Sequence, residues 1–106
     1  DRELALVAER PDAAAGARII GVGRLRKLHG TQDAEFAVLV SDEFQGNGLG
    51  TELVRRLIEV ARQEKIARIT GDVLKDNTVM LRVCQKLGFV LKGEPGESVF
   101  TAEIAV

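Results

Sequence analysis

The segment FQGNGLGTEL, residues 44–53, places three glycines, Gly46, Gly48 and Gly50, within five positions, and no other follows until Gly71. Directly after it the period of the chain changes. Leu53, Val54, Leu57, Ile58 and Ala61 recur at helical spacing, while Glu52, Arg55, Arg56, Glu59 and Arg62 fill the opposite side. Glu52 and Arg56 form an i,i+4 pair in the favourable orientation. Directly before it, AEFAVLV (34–40) reads as a strand, and its near-continuous apolar end predicts burial on both faces. A strand, a glycine turn and a helix N-terminus together make an anion site. The first-turn N–H groups lack helical partners, the dipole adds positive charge, and missing side chains admit phosphate oxygens. A tight strand-to-helix turn accounts for the glycines equally well.

Outward from this segment the elements alternate in type. ELALVAE (3–9) is a short strand, RPDAAAGA (10–17) a turn, and RIIGVGRLRKL (18–28) a second strand. Gly21 and Gly23 in that strand point to a bulge or a close backbone approach. HGTQD is the next turn, with His29 solvated. After the first helix, ARITGDVL (67–74) is a strand and TVMLRVCQKL a second helix, with Asn77 as N-cap and Gly88 as its C′ residue. FVLK and SVFTAEIAV, separated by GEPGE, close the chain as strands. The order β-β-β-α-β-α-β-β predicts a mixed α/β fold and one domain over residues 1–106, without repeat or linker.

Composition narrows the function. The 15 basic and 16 acidic residues are scattered, and Trp and Tyr are absent, which argues against nucleic acid. No apolar run approaches the roughly 20 residues that cross a bilayer. The lone Cys84 cannot form an internal disulfide and fits a reducing cytoplasm. One histidine and no Cys/His cluster argue against a metal site.

Three phosphate-binding patterns compete for the glycine loop. A P-loop needs Gly-Lys-Ser/Thr, and no lysine lies between Lys27 and Lys65. The dinucleotide pattern G-x-G-x-x-G fails where Thr51 follows Gly50, although Asp72 stands where a ribose ligand would be wanted. Three strands before the loop also argue against it. The third pattern fits: QGNGLG (45–50) matches the Q/R-x-x-G-x-G/A loop that binds acyl-CoA pyrophosphate. With EFAVLVSDEFQGNGLGTELVRRLIEVA, then a strand, then Asn77 and LGF at 87–89, the chain resembles the GNAT N-acetyltransferase superfamily over about residues 18–92. DRELALVAE, EFAVLVSDEFQG and MLRVCQKLGF resemble the GNAT domain of bacterial protein lysine acetyltransferases, where it is fused to an acyl-CoA-synthetase-like, NDP-forming region.

The resemblance implies a central mixed sheet splayed after residues 34–40 to admit CoA, with helices on both faces. The family's N-terminal strand and helices, which shape the acceptor site, are missing, so an excerpt is expected. By resemblance, the backbone amides of Gln45, Gly46, Asn47, Gly48, Leu49 and Gly50, with Thr51 adjacent, hold the pyrophosphate. Val38 and Val40 offer backbone groups to pantetheine and the thioester carbonyl, and Asn77 contacts CoA. Glu35 is the expected general base, with Glu43 and Glu3 as weaker substitutes; a solvated glutamate is the plain alternative. An amine acceptor such as lysine, with a free pKa of about 10.4, must lose a proton before it attacks a thioester near pH 7. Cys84 stands where many relatives carry the tyrosine that protonates the leaving thiolate, and it also lies on the apolar helix face, so the general acid is left unassigned. The implied function is acetyl transfer from acetyl-CoA, without a metal, to an amine, a protein lysine in the finer resemblance. A small-molecule amine N-acetyltransferase and a non-catalytic acyl-CoA-sensing module are the alternatives. Exposed strand edges would allow a homodimer.

Overall fold

The computed structural model describes residues 2–14 and 16–106. Ala15, inside the expected 10–17 turn, and Asp1 lie outside the described residues. Strands β1 (Arg2–Asp12), β2 (Gly16–Lys27) and β3 (Asp33–Val40) lead through a single 3-10 turn to helix α1 (Leu49–Gln63). Strand β4 (Arg68–Leu74), helix α2 (Thr78–Lys86) and strands β5 (Val90–Lys92) and β6 (Val99–Ala105) complete the chain, in the expected order. The first strand runs three residues past its predicted end, because Glu9 through Asp12 pair with Ile19 back to Gly16 across a register shift at Ala8/Glu9.

The six strands form one sheet in the order β1-β2-β3-β4-β6-β5. All neighbours are antiparallel except β3 and β4. That parallel pair lasts only from Asp33/Arg68 through Glu35/Thr70; beyond it no strand pairing joins β3 to β4. The splay anticipated after residues 34–40 therefore begins inside that strand. Gln32 and Val106 brace the closed end, through Ala67 N–H to the Gln32 carbonyl (2.7 Å) and Val106 N–H to the Ala67 carbonyl (2.9 Å).

Side-chain parity places the core on one side of the sheet. Leu25, Ala34, Phe36, Ile69, Val73 and Ala102 share a face, as their cross-strand pairing requires. They join Val54, Leu57, Ile58 and Ala61 of α1 and Val83 and Cys84 of α2 in one cluster. Both helices thus cover the same face, not opposite faces as expected. The other face carries Glu35, Ala37 and Leu39, all exposed, Leu39 at 73%. The prediction that residues 34–40 are buried on both sides is corrected accordingly: only Ala34 and Phe36 are buried, because a single helical layer meets this sheet.

The glycines of β2 owe their place to that layer. A Cβ on Gly21 would lie 3.0 Å from Leu53 Cδ1 and one on Gly23 3.3 Å from Leu57 Cδ1, so α1 seats directly on the strand backbone. Gly21 also borders the irregularity opposite Ala8/Glu9, so both sequence explanations hold at once. On the exposed side of α1, Glu52 holds Arg55 (2.8 Å) and Arg56 (3.4 Å).

Candidate acyl-CoA cleft

Splaying β3 from β4 leaves a gap that α1 and α2 border from the helical side. The resulting cleft has a volume of about 430 Å3. Its walls are Val38, Leu39 and Val40 of β3, the glycine loop with Thr51, and α2 from Asn77 to Lys86. Eight residues named from the sequence meet there: Val38, Val40, Gln45, Gly46, Gly48, Gly50, Thr51 and Asn77.

The loop is shaped by two left-handed residues and one brace. Gly46 has φ +82° and Gly48 φ +84°, and a Cβ on either would touch nothing within 4 Å. Backbone conformation, not space, therefore selects glycine at both. The Gln45 amide donates to the Val40 carbonyl and to the Asp42 carboxylate, each at 3.2 Å, folding the loop back onto the end of β3. Gly48 is the N-cap of α1 and has no side-chain cap. The first bond of that turn runs from Glu52 N–H to the Gly48 carbonyl (3.0 Å), so the amides of Leu49, Gly50 and Thr51 precede the helical ladder and remain available to an anion.

Gly48 and Gly50 should respond oppositely to alanine. Gly48→Ala forces a left-handed alanine and costs about 1 kcal/mol, which lowers Tm by roughly 4–8 °C and is expected to weaken ligand binding at the loop. Gly50 has an ordinary φ, and its Cβ would make only normal contacts with Met80 Cε (3.5 Å) and Val40 Cγ2 (3.9 Å). Gly50→Ala is expected to stabilise α1 by up to about 0.5–1 kcal/mol and to leave binding intact. Thermal melts and ligand titrations of the two variants check this.

Asn77 caps α2, its Oδ1 accepting the Met80 N–H at 3.2 Å, while it also lines the cleft. Capping and ligand contact are thus compatible. Asn47 and Leu49 do not line the cleft. Leu49 instead packs over Gly21, its Cδ2 3.1 Å from where a Cβ would sit there. Residues not anticipated are Leu39, Val79, Met80, Arg82, Val83 and Lys86. Arg82 and Lys86, four apart beside the apolar stripe of α2, carried a readable signal: two cations on one helix face with no acidic residue three or four positions away.

Glu35 stands at the last paired register, opposite Thr70, on the sheet face away from the helices. It is exposed, bonds Arg26 at 3.2 Å, and does not line the cleft. Glu43 is paired with Arg18, and Glu3 with Arg24 at 3.3 Å. Asp72 accepts the Thr101 hydroxyl at 3.2 Å and lies outside the cleft lining.

Cys84 is completely buried, and burial pushes its thiol up to about 11. It packs in the core and is no proton donor to the cleft, in line with the packing reading of a free cysteine. The unfolded thiol ionises near 9, the folded one near 11, so between them the unfolded state binds fewer protons and stability falls as pH rises. Denaturation midpoints should therefore fall from pH 9 to 11 by more in wild type than in Cys84→Ala. In native protein, thiol reagents should label Cys84 only as fast as the core opens.

An α/β sheet split at a strand–glycine loop–helix junction, with cations on the facing helix, leaves a cleft suited to an anionic ligand. The chain belongs to the acetyltransferase (GNAT) family, whose model matches residues 1–89. It is 33% identical to the acetyltransferase PA5475 of Pseudomonas aeruginosa over 76% of this chain and 44% of that protein. To acetyltransferase Pat of Mycolicibacterium smegmatis it is 34% identical, over 74% of this chain and 24% of that one. The GNAT domain of Streptomyces lividans PAT superposes with a TM-score of 0.82 at 27% identity, over 98% of this chain and 61% of that one. The chain thus spans less than half the length of the curated relatives it matches. Among the described residues, no helix is long and apolar enough to cross a membrane.

Proposed function

We propose that this domain transfers an acetyl group from acetyl-CoA to an amine, with a protein lysine as acceptor, in the cytoplasm. The observation that carries the reading is the junction itself. The open edge of β3, the free first-turn amides of α1 and the cations of α2 all face one cleft. The pyrophosphate would lie on the amides from Gln45 to Gly50, with Thr51 adjacent; pantetheine would run along Val38 and Val40, and Asn77 would contact CoA. Glu35, at the base of the split, would take the acceptor's proton, directly or through water. The amine nitrogen then attacks the thioester carbonyl carbon, the C–S bond breaks, and CoA leaves as the thiolate. The kinship to acetyltransferase Pat and to the PAT GNAT domain supports a lysine over a small-molecule amine. We also propose that residues 1–106 act as one acetyltransferase domain.

A second reading, an acyl-CoA-binding module without turnover, is favoured by one observation. Cys84, standing where many relatives by resemblance carry a tyrosine acid, is a neutral thiol sealed in the core. Titration calorimetry with acetyl-CoA, and NAD as control, tests the shared premise: micromolar binding of acetyl-CoA alone is expected. Binding of NAD instead would overturn both readings.

A further inference from the structure

We propose that Arg82 and Lys86 form a subsite for the 3′-phosphate of CoA, so that α2 reads the phosphorylated ribose while the glycine loop reads the pyrophosphate. The inference rests on the acyl-CoA reading and extends it to specificity. Arg82 and Lys86 are the two charged side chains lining the cleft, and no carboxylate lines it with them. Most other arginines of the chain are committed to acids, among them Arg18, Arg24, Arg26 and Arg68. No ion pair is found for Arg82 or Lys86 among the described residues.

Placement four apart puts both cations on one side of α2, where like charges one turn apart weaken the free helix. An anion between them removes that repulsion. CoA presents two kinds of phosphate. Each pyrophosphate phosphorus has one ester and one anhydride link and carries one charge, matched by the backbone amides of α1. The 3′-phosphate is a monoester with close to two charges at neutral pH and three acceptor oxygens. A planar guanidinium beside an ammonium fits that group: Arg82 binds two oxygens at once, and Lys86 supplies a point charge.

The test compares CoA with 3′-dephospho-CoA on wild type and on Arg82→Gln/Lys86→Gln, which keeps most of each stem. Wild type should bind CoA about ten- to a hundred-fold more tightly than dephospho-CoA. In the double variant this preference should collapse toward unity, with dephospho-CoA affinity nearly unchanged and Tm equal to or above that of wild type. Three results would overturn the subsite: no preference in wild type, a preference kept by the variant, or equal loss of both ligands, which would assign the cations to the pyrophosphate. Folded wild type that binds neither ligand would instead sink the acyl-CoA reading, and the subsite with it.

Discussion

Glu35→Gln is expected to lower kcat by about 10²–10⁴-fold at pH 7 while leaving acetyl-CoA affinity unchanged. The two effects separate because Glu35 lies outside the cleft lining, on the opposite face of the sheet at the closed end of the split. Loss of the Arg26 pair is a small structural perturbation, since both partners are half-exposed and such pairs contribute roughly 1 kcal/mol or less. The residual activity should climb with pH more steeply than that of wild type. Without a base, the rate follows the fraction of acceptor already deprotonated, which rises about tenfold per pH unit until the amine pKa near 10.4. A variant with full turnover would remove Glu35 from the chemistry. A wild type without turnover that still binds acetyl-CoA would leave the binding-module reading standing.

Gly71→Ala is expected to destabilise the fold by about 1–3 kcal/mol, a Tm loss of roughly 5–20 °C. The added Cβ would sit 2.6 Å from Phe36 Cε1 and 2.7 Å from the Phe36 carbonyl oxygen. The ring cannot retreat freely, because Phe36 is buried and tilted against Phe89 at 5.2 Å. The carbonyl belongs to β3 and cannot move without pushing β3 from β4 just where their pairing ends. Gly71 therefore sets how closely the two strands approach at the root of the cleft. Phe36→Leu added to Gly71→Ala should recover only part of the loss, since it relieves the ring but not the carbonyl. Full recovery in thermal melts would show that the ring alone is responsible.

Much of the fold and part of the site were legible in local signals. The change of period from Thr51, the glycine triplet and Asn77 ahead of TVMLRVCQKL each act within a few residues, and so they gave the element order, the loop and the α2 cap. Periodicity marked Val83 and Cys84 as one helix face, and both are buried. The same reasoning failed for residues 34–40, because an apolar run shows that a strand favours burial, not whether a second layer exists to provide it.

The sequence by itself determined the eight elements, the glycine turn and the acetyltransferase resemblance, since these depend on neighbours in the chain. Only the tertiary structure decided that both helices cover one face and that Arg82 and Lys86 line the same cleft as the glycine loop. It alone also showed that β3 and β4 part after Glu35. Those outcomes depend on pairings between distant residues, such as Arg68 with Asp33 across 35 positions, and no local propensity records which distant strand a segment will meet.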